Sequence, residues 1–225
     1  MWCVAELDAA YIERMEDVLA VYEKPLSDSA PVVCLDEKPV SLHADVRPCR
    51  PMRPGSPARR DNEYKRCGTA NVFAVVEPLT GKRLTKATPD RSALQFARTI
   101  RELAAAYPAA RTIHLVMDNL NTHRKKSLTD HLGPKEADRL WNRFTIHYTP
   151  KHGSWLNQAE IELSLLSRQC LGSRRIDSLA LLRSEIRAWK KRAIKNKLTI
   201  RWRFTRKLAR SKFGYQKPLY RRSQT

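Results

Sequence analysis

The 225 residues are 42% hydrophobic and 29% charged, a balance that permits a sizeable core and excludes both a membrane-embedded and a disordered chain. No apolar run nears the ~20 residues of a spanning helix, and the acidic amino terminus MWCVAELDAAYIERMED lacks a basic-then-apolar secretion signal, so a cytosolic protein is expected. The formal net charge of +20 points to a polyanionic partner.

In chain order, residues 8–23 read as a helix, because Ile12, Met15, Leu19 and Tyr22 recur at steps of three and four before Pro25. Strand-like runs follow at 32–36, 69–77 and 82–87, the last two joined by EPLTGK, where Pro78 and Gly81 suit a hairpin turn. Between Val46 and Arg66 lies RPCRPMRPGSPARRDNEYKR, whose four prolines and seven arginines or lysines disfavour strands and predict a protruding loop. A helix over 92–106 places Leu94, Ala97, Ile100, Leu103 and Ala104 on one face. A strand at 112–117, a basic helix near 124–132 and a strand at 144–149 come next. Helices at about 155–170 and 177–195 precede a basic tail. This order predicts an α/β fold with a mixed five-stranded sheet, an antiparallel front half and βαβ units behind. The expected domains are a helical linker over 1–29, a main domain over 30–175, and a carboxy-terminal helix with basic tail over 176–225.

Five cysteines (Cys3, Cys34, Cys49, Cys67, Cys170) with irregular spacing and no CxxC pair signal neither a disulfide framework nor a zinc site. Charge is uneven: residues 1–45 carry a net −7, residues 46–173 a net +11 and residues 174–225 a net +16, with no acid after Glu185. Such a tail, interleaved with Trp189, Trp202, Phe204, Phe213 and Tyr215, suits a salt-dependent, sequence-blind grip on phosphates; a solvated tail is the plainer alternative.

Three acidic stretches carry the chemistry. Asp36 ends the apolar run Val32-Val33-Cys34-Leu35, with Glu37 expected on the opposite face, and Asp118 ends the run that includes Ile113, Leu115, Val116 and Met117. Glu160 lies near a helix start; Glu162 sits about 200° further round at ~100° per residue, so one of the two at most serves the site, and spacing favours Glu160. Three converging carboxylates repel unless cations lie between them, and such hard oxygen donors suit Mg2+ or Mn2+. An acidic metal centre inside a basic protein indicates phosphodiester chemistry on nucleic acid. His123, Lys151, His152, Arg59, Arg60, Lys65 and Arg66 are candidate DNA contacts, with structural hydrogen bonding or plain loop charge as the alternatives.

The strings CLDEKP, DNLNTH and TPKHGSWLNQAE resemble the catalytic blocks of the insertion-sequence-630 transposases, a bacterial branch of the mariner superfamily, and the segment at 59–81 is similar as well. The resemblance covers roughly 30–205. It implies a ribonuclease-H-like fold and carries the family's Asp, Asp, Glu triad onto Asp36, Asp118 and Glu160, with Asn157 opening the Asn-x-x-Glu motif beside the DNA. It further implies two Mg2+ or Mn2+ ions, bridged by Asp36, with Asp118 holding one and Glu160 the other. The implied reaction nicks double-stranded DNA at an element end and joins the freed 3′ end to a target, generally a TA dinucleotide. A homodimer on DNA, at the bacterial nucleoid, follows from the same resemblance. Family members usually carry an amino-terminal helix-turn-helix region of ~100 residues or more, and this chain begins with what resembles the linker after it. Two rivals remain at this stage: a catalytically silent DNA-binding remnant, and a nuclease or resolvase of the same fold.

Overall fold

The apolar runs pair into one mixed sheet. In a computed structural model, which describes residues 7–216, the strands are β1 (Val32–Asp45), β2 (Tyr64–Glu77), β3 (Lys82–Arg83), β4 (Lys86–Thr88), β5 (Ile113–Met117) and β6 (Phe144–Tyr148). Cys3 and the end of the basic tail, 217–225, lie outside the described residues. The sheet order is β3-β2-β1-β5-β6, with β4 also on β2; β2 is antiparallel to β1, whereas β5 and β6 run parallel to it. The expected five strands become six because the run at 82–87 breaks at Leu84 and Thr85 into two short pieces along the same edge of β2. The hairpin turn before it requires Gly81, which has φ 74° and whose Cβ, if present, would lie 2.3 Å from the Leu198 carbonyl oxygen.

Side-chain alternation sends the two faces of the sheet to different helices. Val33, Leu35, Phe73, Leu115 and Met117 pack beneath α2 (Ala93–Ala106), α3 (Lys125–Leu132) and α4 (Pro134–Trp141). Cys34, Val76 and Val116 face α1 (Ala9–Tyr22), the 3-10 turn Ser154–Leu156 and α5 (Ala159–Leu166). Val72 and Ala74, further along β2, pack with α6 (Leu179–Lys195), whose Trp189 is buried against Leu166 and Cys170. Residues Ser167–Leu171 continue α5 as a π turn, and α7 (Arg206–Phe213) closes the described chain.

Asp8 caps α1 by accepting from the Tyr11 amide at 2.6 Å. The helix buries Tyr11, Met15, Val18 and Leu19, a face slightly rotated from the one expected. Buried Glu16 accepts from the Arg210 Nε at 2.8 Å and the Tyr215 hydroxyl at 2.9 Å, which docks α7 on α1. The tail aromatics dock too: Trp202 lies edge-on to Tyr22 at 5.5 Å, and Phe204 to Trp155 at 5.4 Å.

Three elements depart from the sequence reading. Strand β1 runs on to Asp45 and β2 begins at Tyr64, so the expected loop is the tip of a long hairpin; isolated bridges Arg50–Arg59 and Arg53–Ser56 extend the pairing into it. The half of each strand nearer the core is buried, and the ladder continues from it through the polar half. Arg175 fastens the arms, donating to Asp45 at 2.7 Å and to the carbonyls of Glu63 and Asp61 at 2.7 Å. Helix α4 was not expected: Gly133 at φ 82° turns the chain, and Pro134 starts the new helix, where its missing amide costs nothing. Helix α7 arises within the basic tail, capped by the Thr205 side chain, which accepts from the Leu208 amide at 3.3 Å.

Candidate active site

Strand register brings the first two carboxylates together. Cys34 pairs with Val116 across the parallel β1–β5 ladder, so Asp36 and Asp118, each two residues further on, leave adjacent strands at the same height. Even spacing from Cys34 and Val116 directs both towards the face covered by α1 and α5. The third carboxylate, Glu160, is exposed in the first turn of α5. Asp36 feels all of its acidic neighbours. Burial, then the charges of Glu37, Glu160 and Asp118, push its carboxyl up to about 7, against the Glu37 amide that donates to Oδ1 at 2.8 Å.

Asn157 fixes where α5 begins. Its Nδ2 donates to the Leu35 carbonyl at 2.8 Å, one residue before Asp36, while its Oδ1 accepts from the Ala159 amide at 3.1 Å. The Glu160 amide then donates to the Asn157 carbonyl at 3.0 Å. Asn157 thus ties the helix carrying Glu160 to the strand carrying Asp36. Glu162 is excluded as a ligand: it faces away, fully buried, and accepts from Arg83 Nε at 2.8 and 3.1 Å, with Thr85 Oγ1 at 3.4 Å.

Two groups that the sequence reading did not place in the centre hold Asp118. His123 Nδ1 donates to Asp118 Oδ1 at 2.7 Å, close also to the Asp118 carbonyl at 3.1 Å, and its Nε2 donates to Glu37 Oε1 at 2.6 Å. The ring stacks on Phe96 at 4.8 Å and is fully buried. With a carboxylate on each nitrogen, the imidazole carries both protons. Burial disfavours that charge, but the Asp118 and Glu37 carboxylates outweigh it and raise the group to about 10. Burial also opposes ionisation of Asp118, and the His123 hydrogen bond prevails, keeping that carboxyl below its ordinary range. Oxygens of Glu37 and Asp118 and a nitrogen of His123 lie within 4.8 Å of one another. A protonated imidazole cannot ligate, so these three form an ion-paired support, which leaves Asp36, Glu160 and the remaining oxygen of Asp118 as the candidate donors for a cation. An all-carboxylate donor set of this kind fits Mg2+ or Mn2+. The signal in the sequence was the Asp118-x4-His123 spacing, which a tight turn folds back onto the strand end.

The expected DNA contacts divide. His123 and Asn157 are buried with their polar atoms engaged within the protein, which for His123 is the structural alternative to a DNA contact. Lys151 and His152 are exposed and line a cleft of about 770 Å³ with Asp118, Asn119, Arg14 and Tyr11. His152 takes φ 60° within a tight turn closed by the Gly153 amide on the Pro150 carbonyl at 2.9 Å. Arg59 is exposed on the hairpin tip, and Lys65 and Arg66 on the β2 arm rather than in a loop; none of the three lines the cleft. Arg60 is occupied by Asp45 at 3.2 Å and by the Ser173 carbonyl at 2.6 Å.

The profile of the family described as DDE superfamily endonuclease matches residues 31–183, more than half of the chain and all three acidic stretches. The chain belongs to that family. Among solved structures, this DDE domain is similar to the Mos1 mariner paired-end complex with Mn (TM-score 0.56, 15% identity, 88% of this chain and 61% of that one). It is similar also to the Mos1 strand transfer complex (TM-score 0.56, 16% identity, 88% and 60%). The catalytic domain of Mos1 mariner transposase matches over 89% of this chain and its own full length, with TM-score 0.53 and 11% identity. These likenesses establish the ribonuclease-H-like fold, and the chain spans about three fifths of the longer Mos1 chains. No curated protein matches it. Among the described residues no helix is long and apolar enough to cross a membrane.

Proposed function

We propose that this DDE domain is the catalytic core of a transposase of the insertion-sequence-630 type, which cleaves double-stranded DNA and transfers the freed 3′ end. The observation that carries the reading is the convergence of the acids: the β1–β5 register sets Asp36 beside Asp118, and Asn157 ties the helix bearing Glu160 to the strand bearing Asp36, within a chain of net charge +20. Asp36, Asp118 and Glu160 would hold two Mg2+ or Mn2+ ions. Bound there, divalent ions supply Lewis acidity and charge neutralisation for in-line displacement at phosphorus. Asp36, raised to about 7 by burial and then by its acidic neighbours, would hold a cation only in its carboxylate form. His123 and Glu37 keep Asp118 ionised and aimed, and Asn157 sets the height of Glu160. Lys151, His152 and Arg14 border the cleft beside Asp118, where they meet backbone phosphates. The same reading takes the protein as a homodimer on DNA within the bacterial cytoplasm.

Mn2+-dependent nicking of supercoiled plasmid tests this reading. Asp118→Asn is expected to abolish nicking while leaving salt-sensitive plasmid binding within about twofold, since phosphate contacts dominate that affinity. Nicking that survives the substitution removes Asp118 from the chemistry. Cleavage without any joining of 3′ ends to a second DNA would favour a nuclease instead.

A further inference from the structure

Outside the span that defines the family, α1 sends one side chain into the machinery. Tyr22, in its last turn, donates its hydroxyl hydrogen to the Leu156 carbonyl at 2.8 Å and accepts from the Gln158 amide at 3.3 Å. The Cys34 sulfur lies 3.4 Å from the same oxygen. The two backbone bonds bracket Asn157, the residue that ties α5 to β1. Helix starts leave amides without partners, and α5 has no side-chain cap at Gln158. The Tyr22 hydroxyl serves in its place, and Asn157 takes the next two amides through Oδ1 and its carbonyl. Burial and the Cys34 thiol hold the phenol protonated far above neutrality, so its single hydrogen stays committed to Leu156. Trp202 closes the other side of the ring at 5.5 Å.

We propose that Tyr22 is a positioning residue for Glu160: together with Asn157 it fixes the start of α5, which makes α1 part of the active centre and not only a leader to it. This rests on the transposase reading above. Without the hydroxyl, Leu156 oxygen and Gln158 nitrogen lose their partner in a buried setting. The short α5 then starts from a looser point, two residues before a carboxylate whose placement matters to within about 1 Å.

Tyr22→Phe deletes only the oxygen. The expected result is a fall of about tenfold or more in kcat for Mn2+-dependent plasmid nicking, with KM for DNA within about twofold, because the cleft side chains are untouched. Independently of turnover, Mn2+ binding to the DNA-free protein, followed by electron paramagnetic resonance titration, weakens by about fivefold or more. Tyr107→Phe is the matched control: its hydroxyl donates to Glu77 at 3.1 Å, away from the acidic centre, and its loss leaves both readouts unchanged. If Tyr22→Phe yields too little folded protein, Gln158→Pro deletes the other bond, with Gln158→Ala as the control for the buried side chain lost with it; the backbone admits proline, since Gln158 already has φ −65° and Asn157 before it is extended with ψ 110°. Glu160→Gln separates the two claims. If it loses nicking and Mn2+ affinity while Tyr22→Phe and Gln158→Pro match the wild type, the positioning role is overturned and the transposase reading stands. If Glu160→Gln itself keeps both, the transposase reading fails first.

Discussion

Replacing Glu162 by glutamine strips the negative charge from an ion pair in which both side chains have no solvent exposure. Arg83 keeps its charge, with Nε facing a neutral amide, one terminal nitrogen on the Gly81 carbonyl at 2.6 Å and the other buried without a partner. Stranding a buried charge in this way costs about 3–5 kcal/mol. For a chain of this size each kcal/mol moves the melting temperature by about 2–4 °C, so Glu162→Gln is expected to melt roughly 6–20 °C lower by circular dichroism. Glu160→Gln, two residues away, removes one of several mutually repelling charges at an exposed position. It is expected to melt within about 2 °C of the wild type, or above it, while nicking is lost. Replacing both members of the pair, Arg83→Met with Glu162→Met, recovers most of the lost stability because no charge is left unpaired. The reasoning is refuted if Glu162→Gln melts like the wild type but fails to nick, since the two glutamates would then have exchanged roles.

Further outcomes follow from the same geometry. The folded protein holds the Asp36 proton to about pH 7, whereas the unfolded chain releases it near 3.8, so folding loses stability as pH rises through that window. Asp36→Asn is therefore expected to stabilise the metal-free protein at pH 8 by about 1–3 kcal/mol and to give no gain near pH 4, measured by urea denaturation at both pH values. Gly81→Ala forces a Cβ onto the Leu198 carbonyl at positive φ and is expected to cost about 2 kcal/mol or more, a fall of roughly 4 °C or more in a thermal melt. Plasmid affinity should fall linearly with salt on logarithmic axes, and Lys151→Ala should reduce that slope by about one unit if its ammonium meets a phosphate.

Much of this arrangement was legible from residue order. Apolar runs ending in Asp36 and Asp118 mark two strands that each deliver a carboxylate, and 100° spacing separates Glu160 from Glu162. What escaped was pairing across long sequence distance. Nothing in the local pattern says that Arg83, at the edge of a hairpin, meets Glu162, or that Glu37 finds His123 behind Asp118. Composition misled where it was most marked: the prolines at 48–57 argued for a loop, yet the strands on either side kept pairing well beyond the core. Pro134 and the charge of the tail likewise hid helices, because a proline at a first turn and a polar face are both compatible with helix.

The bulge between Leu42 and His43, opposite Gly68, divides the long hairpin into two separately registered halves. Nearer the core, a slip by one residue would swap Asp36 for Glu37 and put the wrong acid on each face, so that half admits no change in length. Beyond the irregularity Arg175 still clasps Asp45, Asp61 and Glu63, and Arg60 meets the Ser173 carbonyl. Tolerance to a graft or tag is therefore expected at the tip over 50–58, past these clasps, with the acidic centre intact.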